Sequence, residues 1–179
     1  MTADEHLIAR WYRIDAAGRI VDVDPDWDRF ALSNGGERAT RAHVLGRPLA
    51  DFLTGDITRM YLETALEAAR LTGKPRTLPY RCDAPQRRRA LEMTLEPLPG
   101  GDIIVRHRLL HSEARPPRGP ALRYGPPQQA ACYRCSQCLR LLAGTPARGA
   151  GPASGSADLV VADTVCGRCL GQAMRADAA

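Results

Sequence analysis

The chain has 179 residues and a formal net charge of +5, which suits one domain of ordinary size, or one domain with a small appendage. Hydrophobic residues make up 44%, but 27 of the residues are alanines and two Trp, five Tyr and two Phe are the only aromatics, so one moderate core is possible and two large cores are not. No stretch approaches the roughly 18 uninterrupted apolar residues of a membrane helix, and Met1-Thr2-Ala3-Asp4-Glu5-His6 lacks the basic-then-apolar pattern of a signal peptide; a cytoplasmic protein is expected.

Trp11-Tyr12-Arg13-Ile14-Asp15 and Ile20-Val21-Asp22-Val23-Asp24 are short aromatic and β-branched runs around Ala16-Ala17-Gly18-Arg19, the pattern of a hairpin. Asp24 followed by Pro25 predicts a helix start, a capping carboxylate and then proline where no amide donor is missed. Trp27, Phe30 and Ala31 give that helix one apolar face, and Asn34-Gly35-Gly36 ends it. Asp22, Asp24, Asp26 and Asp28 could suggest a cation site, but a strand's outer face and a helix start account for them better. After the compact apolar connection Val44–Leu53, Asp56 is expected to cap a longer helix. Its apolar repeat is Ile57, Met60, Tyr61, Ala65, Ala68 and Leu71, and Gly73 is its stop. Three strands follow. Leu78, Tyr80 and Cys82 alternate in the first, Leu91, Met93 and Leu95 in the second, and Ile103-Ile104-Val105 opens the third after the Pro99-Gly100-Gly101-Asp102 turn. The order β-β-α-α-β-β-β predicts an α+β fold, a five-stranded antiparallel sheet with helices on one face.

That order, carried by YRIDAAGRIVDVDPDWDRFA, VLGRPLADFL, the helix from Asp56 to Leu71 and the closing strands ending at DIIVRHRLL, resembles a PAS domain over residues 10–112. The resemblance implies a sensory and interaction module without chemistry of its own, and a possible homodimer. It also implies a ligand cavity between helix and sheet, where Met60, Tyr61, Leu91, Met93 and Leu95 would sit; plain core is the first expectation for these five. Light-sensing members carry a cysteine-bearing flavin motif with no counterpart here, since Cys82 falls on a strand. Many haem-binding members carry their axial histidine in the long helix, which has none, so neither haem nor flavin is expected. His43 is expected at the surface or in a cap, and His107 and His111 are expected to face solvent.

Residues 113–130 hold five prolines and no apolar period, and predict a semi-extended linker. On that reading the Pro-rich stretch has no apolar face to bury against the sheet, and a chain ending near Ser112 folds alone. Residues 131–172 then carry Cys132, Cys135, Cys138, Cys166 and Cys169, interrupted over 143–158 by an Ala/Gly/Pro/Ser insert with nothing to bury. Cys135-Ser-Gln-Cys138 and Cys166-Gly-Arg-Cys169 are two knuckles 27 residues apart. A two-residue spacer lets one tight turn present both thiolates to one ion, and two such turns close the four-sulfur tetrahedron that zinc prefers. Zinc would also supply folding energy that so small a segment lacks. Cys132 with Cys135 is a knuckle too, so Cys132 stays a possible substitute. A redox pair lacks its βαβ context. A cluster on Cys132, Cys135 and Cys138 lacks the following Cys and Pro of a ferredoxin run, and a disulfide formed on purification is a third alternative.

CSQCLRLL and VCGRCL together resemble the short zinc-binding tail that follows PAS or receiver domains in some bacterial signalling proteins. The aromatic residue usual between the knuckles and the His-Gly before the second are absent, which puts any partner contact through those positions in doubt. Phosphate-binding glycine loops, an H-E-x-x-H, and a supported Ser-His-Asp order are missing as well. Of the 25 basic residues all but Lys74 are Arg, scattered among acids as codon bias would leave them. The reading is therefore a non-catalytic bacterial sensory or regulatory adaptor with a protein partner. The alternative is a zinc-knuckle nucleic-acid-binding regulator dimerised by its PAS domain; it lacks a basic stripe interleaved with aromatics.

Overall fold

The computed structural model describes residues 10–83, 87–114, 122–143 and 159–173. The chain is α+β. Strands β1 (Arg10–Ile14) and β2 (Ile20–Val23) form the opening hairpin, and β3 (Arg76–Arg81), β4 (Arg87–Pro97) and β5 (Ile103–Ala114) close an antiparallel sheet of order β2-β1-β5-β4-β3. Between β2 and β3 run α1 (Trp27–Ser33), α2 (Arg41–Val44) and the 17-residue α3 (Asp56–Thr72). Gly73 ends α3 in the left-handed conformation, φ +63°, where its N–H reaches back to the Ala69 carbonyl at 2.9 Å.

The core lies between α3 and the sheet. Ile14, Leu78, Leu95, Ile103 and Val105 come from the strands, and Tyr61, Leu62, Ala65, Leu66 and Ala69 from the helix. This corrects the phase of the helix pattern. The face that meets the sheet runs 61, 62, 65, 66, 69, and Met60 and Leu71 stand 61% and 78% exposed on the other side. Leu62 and Leu66 belong to a stripe turned by about one residue from the expected one, and it buries two leucines together with two alanines that let the helix approach closely. Helix starts are corrected as well. Asp26, not Asp24, holds the N-cap position of α1, while Asp24 accepts from the Asp26 amide at 2.8 Å. Gly55 holds that position at α3, and Asp56 lies inside the first turn, bonded to Arg59 at 3.0 Å.

The expected linker is not structureless. Leu122–Tyr124 forms β6, with Leu122 and Tyr124 alternating around Arg123. It pairs in parallel with β9 (Leu159–Thr164) in a second sheet of order β6-β9-β7-β8, where β7 is Cys132–Cys135 and β8 is Leu141–Ala143. The seven-residue α4 (Gly167–Ala173) follows. The insert lies outside the described residues except for Ala143.

The second sheet also packs on the first, through residues beyond the Pro-rich stretch. The Arg81 amide of edge strand β3 donates to the Gln137 carbonyl at 2.7 Å, covering an edge that would otherwise present unpaired backbone groups. Arg76, 4% exposed, donates to the Ala173 carbonyl at 2.9 Å, and Ala173 itself belongs to the main core. The seam is continuous from knuckle to helix.

Candidate functional site

Cys135 ends β7 and is fully buried. The turn after it closes through the Leu139 amide donating to the Cys135 carbonyl at 2.9 Å, which swings Cys138 beside Cys135. Leu139 has φ +57°, the only positive φ outside glycine among the described residues, so this turn holds a side chain where glycine sits more easily. Cys166 lies just before α4 and Cys169 inside it, where the helical spacing of three returns both sulfurs to one side. The Ser136 amide donates to the Thr164 carbonyl at 2.8 Å and the Cys166 amide to the Cys135 sulfur at 3.4 Å, which holds the two knuckles together.

The sulfurs of Cys135, Cys138, Cys166 and Cys169 all lie within 4.8 Å of one another. Cys138 Sγ and Cys166 Sγ are 3.8 Å apart. A regular tetrahedron with metal–sulfur bonds of about 2.3 Å has sulfur–sulfur edges of about 3.8 Å. The group could thus hold a metal ion, and an all-thiolate set suits a soft or borderline one. Burial sorts the thiols. Cys169 is pushed up, by desolvation first and then by its sulfur neighbours, and Cys138 is raised for the same leading reason. Cys166 is lowered to about 7, chiefly by the backbone N–H of Cys169. Cys132 is outside this group. Side chains alternate along β7, so Cys132 and Arg134 face away from the side that carries Cys135.

The site sits on α3. Tyr61 Oη donates to the Cys169 carbonyl at 3.3 Å, and burial with the nearby thiols pushes the phenol up. Asp163 Oδ2 stands 3.2 Å from where a Cβ on Gly55 would be, so a tail carboxylate takes up the space at the start of α3 that a side chain would fill. Gly55 has φ +85°, so a larger residue there would be strained as well as crowded.

The five residues considered as a cavity lining are not brought to one place. Met93 and Leu95 are core. Met60 and Tyr61 line a groove of about 270 Å³ between α3 and α4, on the tail's side of the helix. Leu91 lines a different cleft of about 220 Å³, beyond the end of α3, between α1 and the sheet. There Trp27 and Phe30 of α1 line it together with Leu91 and His107, and Arg10, Tyr80, Cys82 and Arg89 make up the rest of the wall. His107 does not face solvent as expected. Its Nδ1 is 2.8 Å from Tyr80 Oη, its ring lies 5.6 Å from that of Tyr12, and burial lowers its pKa to about 4. The signal was in the alternation Ile103, Val105, His107, which puts all three on the inner face. His43 is at the surface, with Nδ1 2.7 Å from Thr40 Oγ1, and His111 is exposed near Glu113. The four aspartates are engaged by protein groups: Asp22 by Arg41, Asp24 by Arg10, Asp26 by Arg29, and Asp28 by the Arg41 amide.

No family model matches the chain. An uncharacterized 104.1 kDa protein in the hypE 3' region of Rhodobacter capsulatus is 36% identical over 104 residues, 52% of this chain; the chain spans 11% of that protein's length. Among solved structures, a domain of an HTR-like protein from Haloarcula marismortui matches with a TM-score of 0.43 and 16% identity, over 57% of this chain and 98% of that one. No described helix is long and apolar enough to cross a membrane.

Proposed function

We propose that the chain is a PAS-like sensory or regulatory module, non-catalytic, whose tail holds one structural zinc ion and passes the state of the core to a protein partner. The observation that carries this reading is the seating of the four-sulfur group on the core, through Tyr61 of α3 with Cys169 and through Arg76 of β3 with Ala173. A metal that fixes α4 also fixes what α3 packs against, so the tail can report on the helix that covers the sheet. The opening hairpin, small helices, long helix and three closing strands support the PAS part. The Cys138–Cys166 sulfur separation of 3.8 Å supports zinc, since it matches a tetrahedral edge, and all four sulfurs lie within 4.8 Å of one another. A long helix without histidine, and no counterpart of the cysteine-bearing flavin motif, support a core that takes neither haem nor flavin.

Native mass spectrometry of the full chain tests this. One zinc per chain is expected, lost in Cys138→Ser and kept in Cys132→Ser. Iron with sulfide, or zinc retained by Cys138→Ser, would overturn the metal assignment. A protein partner further predicts weak binding to duplex DNA at physiological salt. Tight binding whose affinity falls steeply with added salt would transfer the tail to nucleic-acid recognition.

A further inference from the structure

We infer that Cys138 and Cys166 form an oxidant-responsive pair, whose sulfurs a peroxide joins in a disulfide that opens the four-sulfur site. The inference deepens the zinc reading of the tail, and rests on it for its consequence, by naming what regulates the metal's occupancy.

Three observations carry it. The first is access. Cys135 and Cys169 are 0% and 3% exposed, while Cys138 and Cys166 are half-buried. An oxidant arriving from solvent therefore meets one sulfur of each knuckle and is kept from the other two. The second is distance. Cys138 Sγ and Cys166 Sγ are 3.8 Å apart, so a disulfide bond of about 2.0 Å needs an approach of about 1.8 Å. The third is placement. Cys135 ends β7 with its sulfur accepting from the Cys166 amide at 3.4 Å, and Cys169 lies inside α4 with its carbonyl held by Tyr61. Cys138 and Cys166 lie outside strands and helices, in the turn after β7 and the connection before α4, where a side chain turns without disturbing a regular element. Cys82 and Cys132 lie outside the four-sulfur group, so oxidising either leaves the site closed.

The chemistry balances with a peroxide as the oxidant. One thiolate attacks the peroxide O–O bond, which gives a sulfenic acid and a hydroxide. The second thiolate attacks that sulfur, forms the S–S bond and expels another hydroxide. Two thiolates have then given two electrons to the broken O–O bond, and two protons from solvent convert the hydroxides to water. With two of its four ligands bonded to each other, the group no longer closes around a divalent ion.

The test treats the full chain, purified under reductant, with hydrogen peroxide, then maps it with trypsin under non-reducing conditions while a chromogenic chelator reports zinc release. Trypsin places Cys135 and Cys138 in peptide 135–140, Cys166 in 149–168 and Cys169 in 169–175. The expected product links 135–140 to 149–168, with fragmentation placing the bond at Cys138, and zinc appears in step with the link. Dithiothreitol should then restore the thiols and the binding of added zinc. A chain carrying Cys82→Ser and Cys132→Ser should respond as the wild type does, and mapping of the wild type needs no variant to fold. The proposal is overturned by closure within either knuckle, by a link through Cys135 or Cys169, by sulfinic acid at these sulfurs without a link, or by zinc lost before any link forms. The two readings fail separately. A zinc-loaded chain that forms no link sinks the pair alone. A chain purified without zinc that still forms the Cys138–Cys166 link sinks the metal assignment and keeps the pair.

Discussion

The two sheets of this chain solve the same problem with different material. The first has strands of 11 and 12 residues in β4 and β5 and a long helix laid over its inner face, and its core is continuous from Tyr12 to Val105. The second has strands of three to six residues, and its well-buried side chains are few, chiefly Val161, Ala162 and Cys135. Apolar burial stabilises the first sheet at roughly 25 cal/mol per Å² of surface removed from water. The second has little such surface, and four cysteine sulfurs converge where a larger domain would place leucines. The lesson is about scale. Below a certain core size a metal ion can replace the hydrophobic cluster, and the four-cysteine group that could hold one lies at the point where the small sheet touches the large one.

The largest effect that would sharpen this contrast is removal of the metal. Structural zinc contributes an apparent 10–16 kcal/mol or so in small zinc-binding peptides at neutral pH. A strong chelator should therefore abolish amide-exchange protection across β7 and β9, while β4, β5 and α3 keep theirs. Cys135→Ser and Cys169→Ser should reproduce the pattern, and Cys132→Ser should not. Equal loss of protection in both sheets would show that the core depends on the metal too, and the contrast would fail.

The next effect belongs to the core alone. Met93→Ala should lower unfolding free energy by roughly 2–5 kcal/mol, the usual cost of emptying a packed site, while Met60→Ala should stay within about 0.5 kcal/mol. Urea unfolding of the zinc-loaded chain separates them. Met60 shows how the sequence misleads here. Ile57, Met60, Tyr61 and Ala65 follow a helical period, yet so does the stripe through Tyr61, Leu62 and Leu66, and periodicity by itself cannot choose between stripes a residue apart. The strands were readable because their period of two leaves one phase, and the two paired knuckles were readable because their spacing is itself the geometry. The tail's docking was not readable. It rests on main-chain groups, the Arg81 amide with Gln137 and the Ala173 carbonyl with Arg76, which no side-chain pattern announces. The cleft under α1 was missed for a related reason, since its walls come from β1, β3, β4, β5 and a helix far apart in the chain.

Acid should act on the core through His107. Its pKa falls from 6.5 in the unfolded chain to about 4 when folded, because burial disfavours the charged ring. The unfolded state thus binds the extra proton first. The stability tied to a neutral His107 is complete above pH 6.5 and is lost as pH falls toward 4, a change of up to roughly 3 kcal/mol. His107→Gln should flatten the slope of unfolding free energy in that window. A slope unchanged by the substitution would assign the acid sensitivity elsewhere, with the tail's thiolates the first alternative, since protonation releases a metal.

The smallest effect probes the seam. Tyr61 makes one of the hydrogen bonds between the two regions, with its ring in the core and its hydroxyl on the Cys169 carbonyl. Tyr61→Phe keeps the ring and removes the bond, at a cost of about 1 kcal/mol. If the sheets were merely adjacent, that cost would fall on the core and leave the metal alone. If α3 positions the second knuckle, Tyr61→Phe should also raise the rate at which a chelator strips zinc, because the Cys169 backbone loses the donor that orients it. Arg76→Gln gives a second reading from the other end of α4, where it weakens the hold on the Ala173 carbonyl without touching a sulfur ligand. Faster zinc loss in both variants, with zinc content at equilibrium unchanged, is the expected result. Zinc release at the wild-type rate in both would mean that the small sheet holds its metal unaided and that these contacts with α3 and β3 carry no information between the two regions.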